Sequence, residues 1–434
     1  MKANPKGRGI VEWQRGWGVV LAAALGIAIG SIYSHFIGAM IPHLQKAYDW
    51  SRGEIAFGLT LIMGINLVAS IVAGGLADRF GMRPIALCGV WLFAIGFSLL
   101  GLAGPQLWTW YAACVVFAML AASVSAVIWT GGIVKWFEAQ RGMALALTLT
   151  SGGLMVAITP SIIVALLGLV GVSWIFPVVG VTGAILMFIP TLRYFRDLDS
   201  VGSGAGVSVA PKQLPGYSFR EAVVRRHFWQ MLAAFVLVAL AAGTYLVHIQ
   251  PMLIDSGFSP AQAASMAFFV GPSMIVGRLT MGMLYDLFDP RFVSAVAFGL
   301  IPVAGFLLLH LDGNYPLAIG ASILAGLCLG AEVDAVAYLI SRYFGLKAYG
   351  LMYAVLGGAY GVATAVGSTF AGFGFDRFGT YDQWLLILMV GGGVAIMLVL
   401  TLGLPTKAQS EAVGSTQDAS VNAGRCEANE CGSY

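Results

Sequence analysis

Charge is what this chain has least of. Of its 434 residues only 10% are Asp, Glu, Lys or Arg, while 59% are hydrophobic. A water-soluble domain carries about 25% charged residues. With less than half that share, the chain lacks the polar surface to cover itself in water, so lipid must be its main solvent. Cysteine is scarce as well. Cys88, Cys114 and Cys328 fall inside apolar stretches, and Cys426 and Cys431 fall in a polar tail. An odd, unclustered set argues against a disulfide framework and shows no metal-ligand spacing. The sequence has no phosphate-cradling Walker loop, no His-Glu-x-x-His run and no nucleophile elbow. Those absences argue against an ATP-driven pump within this chain and against an enzyme. No cofactor and no nucleic-acid partner is expected.

What is present is long apolar runs. Crossing the hydrocarbon core takes about 20 apolar residues. Such runs lie near 17–41, 55–77, 84–104, 108–134, 142–169 and 172–194, and again near 228–254, 261–285, 291–311, 316–341, 349–373 and 383–404. Met1 to Gly16 holds four basic residues but no small-residue cleavage site, so the first run is expected to stay as a permanent helix. Glycine is abundant at 57 residues. In a soluble helix each glycine costs roughly 1 kcal/mol, but in a membrane small residues let helix backbones approach closely. The expected organisation is a six-helix bundle over 1–195, a linker loop over 196–227 and a second six-helix bundle over 228–404. A disordered tail is expected over 405–434. The linker contains Gly202-Ser203-Gly204-Ala205-Gly206, a flexible composition, and the tail is rich in Ser, Gln, Asn and Gly.

Lysine and arginine set an expected orientation. With the N-terminus in the cytosol, 19 of the 23 basic residues fall on the cytosolic side. The outer loops hold Lys46, Arg52 and Arg377, and Arg278 is left inside the eighth run. Both termini are therefore expected to be cytosolic.

The two halves repeat. The loop after the second run reads Gly75-Leu76-Ala77-Asp78-Arg79-Phe80-Gly81-Met82-Arg83, and the loop after the eighth reads Gly282-Met283-Leu284-Tyr285-Asp286-Leu287-Phe288-Asp289-Pro290-Arg291. The fourth run exits as Lys135-Trp136-Phe137 and the tenth as Arg342-Tyr343-Phe344. Duplicated bundles of this kind place a binding site at their interface. The fold expected is all-α and integral to the membrane, with twelve transmembrane helices in two pseudo-symmetric bundles.

The run Gly74-Gly75-Leu76-Ala77-Asp78-Arg79-Phe80-Gly81-Met82-Arg83-Pro84 resembles the signature loop of the major facilitator superfamily. The resemblance implies a cytoplasmic gate made by Gly74, Asp78, Arg79 and Arg83. Gly74 is suited to close helix packing, Asp78 and Arg79 to a charge pair at a helix end, and Arg83 to starting a turn fixed by Pro84. Within that superfamily the chain is similar to the monocarboxylate transporters and the bacterial oxalate/formate antiporters. Three stretches carry the similarity: Arg15-Gly16-Trp17 through Trp50-Ser51-Arg52-Gly53-Glu54, Lys135 to Ala144, and Tyr349-Gly350-Leu351 through Asp376-Arg377-Phe378-Gly379-Thr380-Tyr381-Asp382.

Arg278 is the most informative single residue. Eight residues separate it from Asp286, which places it about 12 Å into the membrane at 1.5 Å per residue. An intramembrane arginine is costly and usually functional, and its guanidinium matches a carboxylate in two-point geometry. The resemblance implies the same role, since the related families hold a substrate carboxylate with an arginine here. It also exposes departures. Met274 stands where monocarboxylate transporters place an aspartate, His35 where they place a lysine, and Leu356 where oxalate antiporters place a second cation. One fixed cation favours a singly charged anion. Glu332 and Asp334 lie in the tenth run, about 15 and 12 Å deep counted from Arg342. Two residues apart means about 200° of rotation, so they face different sides of the helix. A carboxylate out of water keeps its proton unless a cation holds it ionised, so an acid beside Arg278 is the minimum machinery for proton coupling. Asp334 is the expected proton site because its depth matches Arg278. The alternative is a static ion pair that neutralises the arginine. His35 titrates in the physiological range when solvated. His35, Tyr33, Trp129, Tyr338, Tyr353 and Tyr360 complete the candidate substrate site, the aromatics offering rings and hydroxyls.

The expected activity is proton-coupled transport of small organic anions, monocarboxylates first, by alternating access. The setting is a bacterial inner membrane, with the bilayer, protons and the anion as partners and a monomer as the working unit. Two other readings remain open: an exporter of drugs or hydrophobic metabolites on the same fold, and a non-transporting membrane sensor.

Overall fold

The computed structural model describes residues 5–137, 140–196, 216–345 and 348–403. The expected tail and most of the expected linker lie outside the described residues, as do the side chains of Asp78, Asp286 and Asp334.

The first pass is α1 (Pro5–Gly30) followed by α2 (Ile32–Tyr48). They break at Ser31, whose hydroxyl donates back to the Ala28 carbonyl at 3.0 Å. Next come α3 (Arg52–Phe80) and α4 (Met82–Leu100). The chain turns between them at Gly81, where φ is 94°, a left-handed conformation open to glycine without strain. Arg83 therefore does not start the turn, as the sequence suggested. Arg83 and Pro84 sit in the first turn of α4, where a missing proline N–H leaves no helical bond unmade. The fourth pass is α5 (Leu107–Ala121) and α6 (Ala126–Trp136), joined by a 3-10 turn. α7 (Arg141–Tyr194) runs on for 54 residues and bends at Gly171, with φ 75° and ψ 174°. Its apolar stretch Met143–Tyr194 is 52 residues long, enough for two crossings.

The second half holds a short α8 (Phe219–Val223), then α9 (Arg226–Asp255), α10 (Pro260–Ala267) and α11 (Val270–Leu287). It continues through α12 (Pro290–Leu309), α13 (Tyr315–Phe344), α14 (Tyr349–Phe378) and α15 (Asp382–Leu400). Among the described residues eleven stretches are long and apolar enough to span a membrane. With the bent one counted twice, the chain makes the twelve passes expected. Large apolar side chains such as Ile71, Leu169, Trp174 and Val390 are 68–80% exposed, a surface that only lipid covers.

Each half has its own core. In the first, the rings of Phe36, Phe93, Phe97, Phe117 and Phe176 interlock with centroids 5.1–5.9 Å apart. In the second, Tyr245, Phe235, Phe298 and Tyr285 are enclosed among small residues of α9, α12 and α13. The seam between halves is built on glycine instead. A Cβ added to Gly372 of α14 would meet the Gly53 backbone nitrogen at 2.7 Å, and one on Gly153 of α7 the Gly271 carbonyl of α11 at 3.1 Å. One on Gly38 of α2 would meet the Val247 Cα of α9 at 2.8 Å. Backbone approach this close holds α3 to α14, α7 to α11 and α2 to α9. Below, the near end is the one where α1 begins, and the far end is the one where α2 stops.

Candidate functional site

Two polar clusters lie at the seam. The first surrounds Arg278. Glycines bring α11 and α13 together: a Cβ on Gly330 would lie 2.8 Å from the Arg278 backbone nitrogen, and one on Gly277 would lie 3.0 Å from the Leu327 Cα. That packing sets Glu332, which is only 1% exposed, within electrostatic reach of the Arg278 charge. Tyr360 of α14 donates its hydroxyl proton to Glu332 Oε1, and the Cys328 thiol lies 4.0 Å from Oε2. Arg278 Nη1 donates across the seam to the Leu149 carbonyl of α7 at 3.3 Å. A guanidinium, a carboxyl and a phenol thus converge from three helices. The guanidinium can hold an anion, and the carboxyl can hold or release a proton.

The second cluster closes the far end. Arg52, in the first turn of α3, is 7% exposed. It grips Asp255 at the end of α9 with two bonds, Nη1 to Oδ2 at 2.5 Å and Nη2 to Oδ1 at 2.8 Å. Its guanidinium lies 3.6 Å over the Phe375 ring. Nη1 also donates to the Tyr381 hydroxyl at 2.9 Å. Asp376 of α14 accepts from the backbone nitrogens of Arg52 at 2.8 Å and Gly53 at 2.7 Å. The carboxylate of one half thereby caps a helix of the other. Behind Tyr381 stands His248. Its Nε2 lies 2.7 Å from the Ser368 carbonyl, which can only accept, so Nδ1 accepts from the Tyr381 hydroxyl at 2.9 Å. Lower in the seam, Thr60 and Thr369 hydroxyls bond at 2.7 Å.

The remaining expected residues are dispersed. Trp129 is fully enclosed, with its ring nitrogen donating to the Val124 carbonyl at 2.9 Å. Tyr33 meets Phe117 edge to face. Tyr338 stacks on Tyr285 and donates to its carbonyl at 2.6 Å. Tyr353 is 38% exposed. His35 is 8% exposed, with Nδ1 3.3 Å from the Ser34 hydroxyl. At the near end Gly74 faces only Val127, at 3.7 Å for an added Cβ. Arg79 is exposed beside Phe80, and Arg83 donates to the Leu192 carbonyl at 3.0 Å. Asp334 and Asp78 fall outside the described side chains. The Arg52 cluster escaped sequence reasoning, although two stretches singled out by resemblance, Trp50 to Glu54 and Asp376 to Asp382, turn out to touch. Their shared excess of charge and glycine at helix ends was the available signal.

Two repeated bundles of six passes, joined at a glycine seam with charged groups at membrane depth, define a secondary active membrane transporter. The chain belongs to the Major Facilitator Superfamily, whose family model matches residues 16–355 and again 251–423. Among its relatives, the uncharacterized MFS-type transporter YhjX of Escherichia coli (strain K12) is 26% identical over 334 residues, 75% of this chain and 81% of the relative. Monocarboxylate transporter 11 of Mus musculus is 24% identical over 428 residues, 90% of this chain and 89% of the relative. The solved structure of a D-xylose-proton symporter superposes with a TM-score of 0.71 at 12% identity, covering 90% of this chain and 99% of that one. At that identity it shares the fold alone.

Proposed function

We propose that this transporter carries small monovalent organic anions, monocarboxylates first, together with a proton. The observation that supports it is the buried Glu332 of α13, within reach of the Arg278 charge from α11. With Glu332 ionised, its charge neutralises Arg278, and the Tyr360 hydroxyl proton satisfies one oxygen. With Glu332 protonated, the guanidinium is left with a full positive charge in low dielectric, and a substrate carboxylate is the natural replacement. Proton and anion then enter together and leave together. In this reading the proton sits on Glu332, supported by its place beside Tyr360 and within reach of the Arg278 charge, while Asp334, expected from its depth, has its side chain outside the described residues. The name of the mouse relative supports the substrate class. In this reading the termini face the cytosol of a bacterium, the near end is the cytoplasmic one, and Gly74, Asp78, Arg79 and Arg83 form its gate when it closes. The monomer suffices, since both halves of the site come from one chain.

A second reading has one observation in its favour. Leu67, Val236, Leu240, Val355 and Val362 line an open apolar groove of about 570 Å³ between α3, α9 and α14, which suits a hydrophobic metabolite. Uptake by proteoliposomes with and without an imposed pH gradient separates the two. Monocarboxylate accumulation that follows the gradient, and is lost in Arg278→Lys, is the expected result. Lysine keeps the charge but not the two-point geometry. Gradient-independent transport, or normal affinity and turnover in Arg278→Lys, overturns the reading.

A further inference from the structure

A small cavity of about 20 Å³ lies among buried residues at the seam, walled by α2, α7, α9, α10 and α11. Val270 in its wall is eight residues before Arg278 on α11, so the cavity lies about 12 Å closer to the far end than the Arg278 cluster. Most of the wall is apolar, from Ala39, Val156 and Pro160 to Ala267. Two side chains are not. His35 of α2 is 8% exposed and Gln250 of α9 is 4% exposed. His35 Nε2 and Gln250 Oε1 are both buried, and neither hydrogen-bonds to any protein group.

The hydrogen bonds around them say what fits. Ser34 Oγ lies 3.3 Å from both the Ser31 carbonyl and His35 Nδ1. The carbonyl can only accept, so the single Ser34 proton goes to it, and Nδ1 supplies the proton of its own bond to Ser34 Oγ. Nε2 then carries a lone pair. Gln250 Oε1 is an acceptor as well. Two buried acceptors from opposite halves thus share one cavity, and unpaired polar atoms of this kind are costly. The complement is a small neutral molecule with two donors. A water needs roughly 10–15 Å³ by the same measure, so one fits and a carboxylate does not.

We propose that this cavity is a binding site for a single water molecule, which donates one proton to His35 Nε2 and the other to Gln250 Oε1. The water ties the halves together in the conformation closed at the far end. It is released when α2 and α9 part, because the two acceptors then no longer face one another. His35 in this state is a positioning residue of the seam and does not contact the substrate.

Two measurements test the site without any substrate, so they stand or fall apart from the transport reading. The first is a structure of the unmodified protein in a lipid nanodisc, at a resolution that shows ordered water. One peak about 2.7–3.2 Å from both atoms is expected. Both side chains in place with no peak between them, or bonded directly to each other, overturns the proposal. The second is a cycle of Gln250→Leu, His35→Leu and the double variant. The readout is the ratio of far-end-open to far-end-closed protein, from the distance between spin labels at positions 106 and 312. Each single change is expected to raise that ratio about 2- to 12-fold, the worth of one net hydrogen bond. The double variant is expected to do no more than either single one, because either change alone frees the water. Additive effects, or no effect, overturn the tie.

Discussion

Arg52→Gln removes the group that joins most of the far-end cluster. Glutamine keeps part of the length but loses the charge and the fork. Asp255 loses two charge-assisted bonds, and Phe375 loses its stacked cation. Breaking a buried charge pair costs about 2–5 kcal/mol. The Asp255 side chain is 32% exposed, so water replaces part of what it loses and the low end applies, about 2 kcal/mol. The bond joins α3 of one half to α9 of the other, so opening the far end must break it. Its loss therefore raises the ratio of far-end-open to far-end-closed protein by about 30-fold, since 1.4 kcal/mol is a factor of ten. Spin labels on cysteines at Gln106 and Asp312, both exposed at the far end, report that ratio by pulsed dipolar spectroscopy in a background without native cysteines. Asp255→Asn should shift the distances in the same direction. Folded Arg52→Gln protein with an unchanged distance distribution would refute the claim that this cluster holds the far end shut.

Other variants probe the near half and the Arg278 cluster. Glu332→Gln should lose gradient-driven accumulation yet keep substrate exchange, because exchange returns loaded and need not release the proton. Asp334→Asn measured in the same vesicles separates the two acids, and normal accumulation in both would leave only a static ion pair. Gly330→Ala pushes a methyl group against the backbone of Met274 and Arg278. It should lower stability by about 1–3 kcal/mol and raise KM by displacing Arg278, both readable by thermal melting and uptake kinetics. Asp78→Asn should slow transport with little change in affinity, and a pure affinity defect would contradict a gating role.

Much of the fold was legible because lipid imposes a simple rule on length and polarity. The twelve passes, the internal repeat and the intramembrane Arg278 all follow from it. The joints were harder. Ser31 and the turn at Ala122–Val124 interrupt runs that read as continuous, since a backbone break costs no hydropathy. Gly171 bends α7 with no polar loop to announce it. The far-end cluster was illegible for another reason. Arg52 meets Asp255, Asp376 and Tyr381 across 203 to 329 residues of sequence. Residues at helix ends read locally as ordinary surface charge. Trp129 and Tyr338 illustrate the same limit inside the bundle: an aromatic residue on a suitable helix does not reveal whether its polar atom is already engaged by a neighbouring carbonyl.

The glycine seam sets where motion concentrates. Interlocked aromatic rings make the first half stiff, so a displacement applied at one end reaches the other nearly undiminished. The smooth contact Gly153–Gly271 then acts as an axle, with α3 and α14 as beams about 45 Å long that pivot near mid-length. A rotation of about 15°, the size of the rigid-body change in haemoglobin, sweeps a tip about 22 Å from the pivot through roughly 6 Å. That arc breaks any hydrogen bond at the tips, yet points near the axle hardly move. Arg278 and its bond to Leu149 sit close to the axle and Arg52 at a tip. A bound substrate there would thus stay nearly still while the access around it reverses.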